Sequence, residues 1–229
     1  MWRLVLTILA FLAIASCGRP LTPAEREFML GLQGASFDPG AVRIARNRLV
    51  GITERSYPVR PRTTCRERIL PPPDGPTFTA STAGITLFQH VQTSPGVYLE
   101  DYVGRPDGAL NLAAAMFFAH EMTHVWQWQN RGVTGYHPFR AFAEHRSTKD
   151  PYLFDSDSPH RFLDYGYEQQ ASLVEEYVCC RALDPGGDRT ARLERLLRES
   201  MPLAPSLDRI DGLEILVPWD GVERRGICS

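Results

Sequence analysis

Apolar residues in this chain fall into a few sharply bounded stretches. In one of them Leu110, Leu112, Ala113, Ala114, Ala115, Met116, Phe117, Phe118 and Ala119 leave almost no polar face. A helix that is apolar nearly all round is a buried helix. The pattern predicts one from about Gly108 to Asn130, with Gly132 as a stop just beyond it. A second helix is predicted from Tyr167 to Leu183, and a third from Asp188 to Glu199, where Leu193, Leu196 and Leu197 recur at helical spacing. Near the start, Thr22-Pro23-Ala24-Glu25 has the form of a capping box with proline at the first helical position. A short helix should follow to about Leu32 and stop near Gly34.

Strand signals are shorter. Ile85 to Phe88 and Val97 to Tyr102 read as strands separated by the turn residues Ser94-Pro95-Gly96. Val42 to Ile44 and Leu213 to Val217 read as shorter ones. Residues 71–76, PPPDGP, break the chain, and residues 133–163 read as irregular, aromatic and proline-containing. There is no internal repeat. The expected class is α+β: a small antiparallel sheet packed on the buried helix, with the Tyr167 helix beside it.

Length and charge narrow this picture. A chain of 229 residues with 43% hydrophobic content suits one domain with a real core. A net charge of -2 gives no electrostatic case for nucleic acid. Residues 38–70 hold eight arginines against Asp38, Glu54 and Glu67, but few aromatics are interleaved. That stretch reads as a solvated, loop-rich edge.

The first residues, MWRLVLTILAFLAIASC, read separately. The run from Leu4 to Ala15 is apolar apart from Thr7 and too short to span a bilayer comfortably, which takes roughly 20 residues. That is the core of a signal peptide. Its end, Ile14-Ala15-Ser16-Cys17, resembles the bacterial lipobox, which implies cleavage before Cys17 and lipid on that cysteine. The other reading is an ordinary secretory signal cut near Ala15. Gly18 in place of aspartate after the cysteine is compatible, by the same resemblance, with an outer-membrane destination. The domain plan is then a leader over 1–16, an anchor and N-terminal helix over 17–36, and the main domain over 37–229. Export makes the remaining cysteines, Cys65, Cys179, Cys180 and Cys228, candidates for two disulfides. A bridge between neighbours is strained, so Cys179 and Cys180 should each reach a distant partner, Cys65 or Cys228, in a pairing that sequence leaves open. No CxxC spacing supports a four-cysteine metal site.

Candidate chemistry sits in HEMTHVWQWQ, residues 120–129. His120 and His124, four apart on a helix, stand on one face and can address one metal ion. Two neutral imidazoles hold zinc without cancelling its charge, and Glu121 can reach a water on that ion. Thr123, Trp126 and Trp128 read as structural. A catalytic zinc needs a third protein ligand and one open position. His137, His145, His160 and Glu168 are the candidates, and no His-x-x-Gly-x-x-His extension follows His124. Glu168 is best placed, because Ala171 on the same face of its helix lets that helix approach closely. Glu175, two turns on, can accept from a histidine ring N–H.

These blocks, HEMTHVWQWQ followed by YGYEQQASLVEEY, resemble the gluzincins, metallopeptidases with two histidines and a glutamate on zinc. More narrowly, they are similar to small bacterial peptidase-like domains with a HELTHVWQ-like and an EQQA-like helix, which often occur near Vgr and Rhs secretion elements. The resemblance covers roughly residues 85–180. It implies a zincin-like fold, zinc on His120, His124 and Glu168, and Glu121 as general base. One position departs from it. Many gluzincins carry an aspartate four residues after the ligand glutamate, where this chain has Ser172. The expected function is a zinc-dependent peptidase of the bacterial envelope, lipid-anchored and acting on a peptide or protein. Tyr165, Tyr167, His137 and His160 are candidates for the oxyanion donor. The strand Val97 to Tyr102 is a candidate sheet edge for an extended peptide. The alternative is a lipid-anchored scaffold with a structural or vestigial zinc, in which a fourth side chain would close the site.

Overall fold

The computed structural model describes residues 18–148, 150–155, 158–203 and 212–229. The leader and Cys17 lie outside the described residues. The chain is mixed α and β, with small sheets and seven helices among the described residues.

The elements in chain order are α1 (Pro23–Gln33), β1 (Arg43–Arg46), β2 (Glu54–Pro58), α2 (Cys65–Arg68), β3 (Thr77–Ser81), β4 (Gly84–Leu87), β5 (His90–Thr93), β6 (Leu110–Asn111), α3 (Leu112–Gln129), α4 (Arg131–Thr134), α5 (Pro138–Ser147), α6 (Tyr167–Leu183), α7 (Asp188–Arg198) and β7 (Ile215–Leu216). The capping box expected at the first helix is formed. Thr22 Oγ1 accepts from Glu25 N at 3.1 Å, and Glu25 Oε2 accepts from Thr22 N at 2.9 Å. Gly34 ends α1 at φ 53°, a conformation that glycine adopts without strain.

Helix α3 is the centre of the core. Asn111 caps it by accepting from Ala114 N at 3.2 Å. Leu112, Ala115, Ala119, Met122 and Val125 are fully buried. Its main neighbour is α6, which is buried on most sides from Gln170 to Cys180. The sheet β1-β5-β4 lies beside α3, with β4 as its edge strand and the strand nearest the helix. That sheet is mixed. β4 pairs antiparallel with β5, but β1 pairs parallel with it, Ile44 opposite Val91. The expected purely antiparallel sheet is therefore corrected. The chain returns from β1 through the antiparallel pair β2-β3 and enters β5 in the same direction as β1.

Two other expectations change. Val97 to Tyr102 is a turn and loop, and β5 takes the place beside β4. The amides that a strand would offer to a ladder are used otherwise: Val97 N and Tyr98 N donate to Ser94 O at 3.2 and 3.1 Å, and Tyr102 N donates to Glu25 Oε1 at 3.0 Å. Tyr102 turns inward and stacks on Phe118 with ring centroids 5.7 Å apart. The stretch 133–163 is not wholly irregular, since it contains α5. His137 caps α5 by accepting from Phe139 N on Nδ1, and Pro138 opens it. Only Pro138 and Ala141 of α5 are buried while Phe139 and Phe142 face solvent, so no apolar stripe marks the helix in the sequence.

Both disulfides form with the two adjacent cysteines reaching different partners. Cys65 bonds to Cys179 and Cys180 to Cys228. Neighbouring helical residues point about 100° apart, so α6 presents one cysteine to α2 and the next to the C-terminal segment. Glu176, one turn before Cys180, accepts from Cys65 N at 2.8 Å and from Arg189 Nη1 at 3.1 Å. α2 is thus held to α6 by a covalent bond and by a buried carboxylate. The Cys65–Cys179 bridge closes a loop over 114 positions. Removing it by Cys65→Ser with Cys179→Ser should cost about 2–5 kcal/mol in a denaturant melt. A loss below about 0.5 kcal/mol would mean that the bridge does not hold α2 in place.

Candidate metal centre

His120 and His124 project from consecutive turns of α3, and Glu168 from the first turn of α6. Glu168 Oε2 lies 3.2 Å from His120 Nε2 and 3.3 Å from His124 Nε2. The three donor atoms all lie within 4.8 Å of one another, so this buried group could hold a metal ion. The two nitrogen–oxygen separations fit the purpose. A tetrahedron with metal–ligand bonds of about 2.0–2.1 Å has edges of about 3.3 Å. Two imidazole nitrogens and one carboxylate oxygen are a donor set that zinc accepts.

Each imidazole is turned toward the common point by a partner on its other nitrogen. His124 Nδ1 donates to Gln127 Oε1 at 2.9 Å. Gln127 Nε2 donates in turn to Tyr167 O and to Gln170 Oε1, and Gln170 Nε2 donates to Tyr165 O at 2.8 Å. Because both amides are fixed by these bonds, Gln127 must present oxygen to the ring, and His124 keeps the lone pair on Nε2. His120 Nδ1 lies 3.3 Å from Glu175 Oε2, an ion-pair separation rather than an aligned hydrogen bond. Glu175 is itself held by Arg66 Nη1 at 3.0 Å. Ser172 has no partner for its buried Oγ among the described residues. Glu175 faces His120 instead.

Electrostatics mark the same group. Burial lowers the basicity of His120, but Glu168 and Glu175 override it and raise its pKa to about 10. His124 is raised as well, against burial, chiefly by Glu168. Burial pushes Glu168 up, yet His124 and His120 bring it well below the usual carboxylate range. Without a cation, protons on the histidines balance this carboxylate; a metal ion would do the same by displacing them.

Glu121 is also at the site. Thr86 Oγ1 of β4 donates to Glu121 Oε2 at 2.6 Å. A Cβ on Gly84 would collide with Glu121 Oε1, so the first residue of β4 must be small for that carboxylate to lie where it does. On α3 the residues Met122 and Thr123 are fully buried, while His120, Glu121 and His124 keep 8%, 6% and 5% exposure.

The remaining candidates separate. His145 does not join the three donors but reaches the other oxygen of the carboxylate, Nε2 to Glu168 Oε1 at 2.8 Å. Its neighbour Glu144 accepts from Tyr167 N at 2.9 Å, so α5 holds both the backbone and the side chain at the start of α6. His137 is the cap of α5, in ring contact with Phe88, Trp128 and Phe139, and His160 lies edge-on to Tyr165. Tyr165 and Tyr167 spend their hydroxyls on Asp155 O and Gly135 O. Two tyrosines absent from the sequence expectations are closer. The Tyr136 ring stacks on His124 at 6.0 Å, and Tyr152 lies 5.9 Å from His120 and 5.5 Å from His145. Burial, then the charge of Glu168, raises both phenols above their usual range, so both keep their protons.

No protein-family model matches the chain, and no curated protein matches it. Among solved structures it is similar to the effector domain of Pseudomonas aeruginosa VgrG2b, at 20% identity and a TM-score of 0.49, over 81% of this chain and 85% of that one.

Metal uptake should release protons. His120, raised to about 10 in the metal-free protein, is protonated at neutral pH and must lose that proton to bind. Apparent metal affinity should rise about tenfold per pH unit for each proton displaced, up to that pKa. The metal-free fold should behave in the opposite way: its pairing with protonated His120 is complete below about pH 6.5 and fades as pH rises toward 10. Calorimetry at pH 7 in buffers of different ionisation enthalpy measures the release, and uptake with no proton release would contradict this assignment. Glu168→Ala should lower metal stoichiometry in the purified protein, and a variant that keeps full metal would remove Glu168 from the ligand set.

Proposed function

We propose that the protein is a zinc-dependent hydrolase of peptide bonds with a gluzincin-like site. The convergence of His120 Nε2, His124 Nε2 and Glu168 Oε2 beside a carboxylate on the same helix carries this reading. Zinc bound there would polarise a carbonyl and acidify a water. Glu121 is the general base. Thr86 fixes one of its oxygens, which leaves the other to take a proton from the attacking water and deliver it to the leaving amine. Tyr152, whose ring lies beside His120 and His145, supplies a donor for the charge that grows on the carbonyl oxygen. Among the described residues the cluster has three donors, a number that keeps one position open, whereas a structural zinc is closed by a fourth.

β4 supports a peptide as substrate. It is the edge strand of its sheet and carries Thr86 to Glu121, so an extended peptide paired along it would pass the base. Two disulfides suit an oxidising compartment, which agrees with export and a lipid anchor at Cys17. No helix among the described residues is long and apolar enough to cross a membrane. The sequence resemblance adds a setting near secretion elements.

Glu121→Gln should keep the metal and reduce the hydrolysis rate by about 10²–10⁴-fold, the usual contribution of a positioned general base. The check is metal analysis and cleavage of an unfolded protein substrate by the same preparation. Equal cleavage by the variant and the original chain would remove Glu121 from the mechanism.

A further inference from the structure

Beyond Tyr136 lies an open cavity of about 420 Å³, lined by Trp128, Arg131, Gly135, Tyr136, His137 and Arg140. The metal site uses none of its charged groups. Arg131 lies over the Trp128 ring at 4.5 Å and donates to Trp128 O at 3.2 Å. Arg140 donates to Gly135 O at 2.9 Å. Among the described residues neither guanidinium has a carboxylate partner, unlike Arg19, Arg60, Arg66, Arg189 and Arg198. A guanidinium has five N–H donors in a planar fork, and each of these two spends one on a backbone oxygen. The cavity therefore offers aromatic walls and two partly unused cationic forks.

The cavity adjoins the metal site through Tyr136. Trp128 is one helical turn after His124, and Tyr136 both lines the cavity and stacks on His124. β4 runs the same way. Its Thr86 holds Glu121, and the strand ends at Leu87, just before Phe88, whose ring centroid is 4.7 Å from that of Trp128. Strands rise about 3.3 Å per residue, so a peptide along β4 reaches the cavity about two residues from the base.

We propose that this cavity is a carboxylate subsite. It binds an acidic side chain, or a free C-terminal carboxylate, about two residues from the bond that is cut. This rests on the peptidase reading, and carboxylate is the anion because its two oxygens match a guanidinium fork.

The test uses the zinc-loaded full chain and two random-peptide mixtures, one blocked at both ends and one with a free C-terminus, with cut sites read by mass spectrometry. Glu and Asp should exceed Gln and Asn about tenfold near the cut, as one charge-assisted hydrogen bond implies. Enrichment in the blocked mixture assigns the side chain as the source. Enrichment only of cuts near the free C-terminus assigns the terminal carboxylate. In Arg131→Gln with Arg140→Gln the acidic preference should fall toward one. Both residues are exposed, so the variant should fold, and circular dichroism checks it. Cleavage without acidic preference, or a preference that the double variant retains, overturns the subsite and leaves the peptidase reading standing. The Glu121→Gln chain, zinc-loaded, is titrated by calorimetry with acetyl-Ala-Ala-Glu-Ala-Ala-amide and its Gln counterpart, and with the free acid acetyl-Ala-Ala-Ala-Ala and its amide. If the unaltered zinc-loaded chain cuts neither mixture, while the Glu121→Gln chain binds in a way that depends on a carboxylate and on the two arginines, the subsite stands and the peptidase reading falls.

Discussion

The Glu168 carboxylate is 6% exposed and has three imidazoles around it. A buried carboxylate without compensation is prohibitively costly, so this point in the core has to hold positive charge in some form. Protonated histidines can supply it, and so can a metal ion. The rest of the structure is arranged to keep that choice open. α3 brings two rings to one oxygen, and α5 brings a third to the other. Arg66 and Glu175 extend the alternation of charge outward from His120.

The same demand explains why so much effort goes into fixing the start and the middle of α6. Glu144 takes the Tyr167 amide, and Gln170 ties Gln127 to Tyr165 O. Further along, Glu176 and the two disulfides fasten α6 to α2 and to the C-terminal segment. A ligand displaced by an ångström no longer closes the tetrahedral edge, and these attachments hold the helix in register. On the side of α3 toward β4, Thr86 bonds to Glu121, and Phe88 just after the strand meets Trp128 at the aromatic cavity.

How far the sequence reads true depends on the range of the interaction. Thr22 and Glu25 form the expected box because cap and acceptor are three residues apart. α6 begins at Tyr167 and ends at Leu183 as its pattern predicts, and α3 falls within the expected span. α5 left no signal because its aromatic residues face solvent. The false strand at Val97 to Tyr102 had suitable side chains, but a glutamate 77 positions away takes one of its amides.

The pair His120 and His124, with Glu121 about 100° around the helix from His120, was settled by local geometry, since helical spacing alone aligns residues four apart. The sequence likewise made Glu168 the best-placed third donor and required the adjacent cysteines to part. Only the tertiary structure decided which cysteine goes where, that Glu175 rather than Ser172 faces His120, and that His145 takes the second oxygen of Glu168. It also decided that Thr86 bonds to Glu121 and that Arg131 and Arg140 share a cavity with Tyr136, whose ring stacks on His124. Each of these joins elements that are distant along the chain or separated by a turn. A local pattern can state which residues share a helix face, but which faces meet depends on how all the elements pack at once.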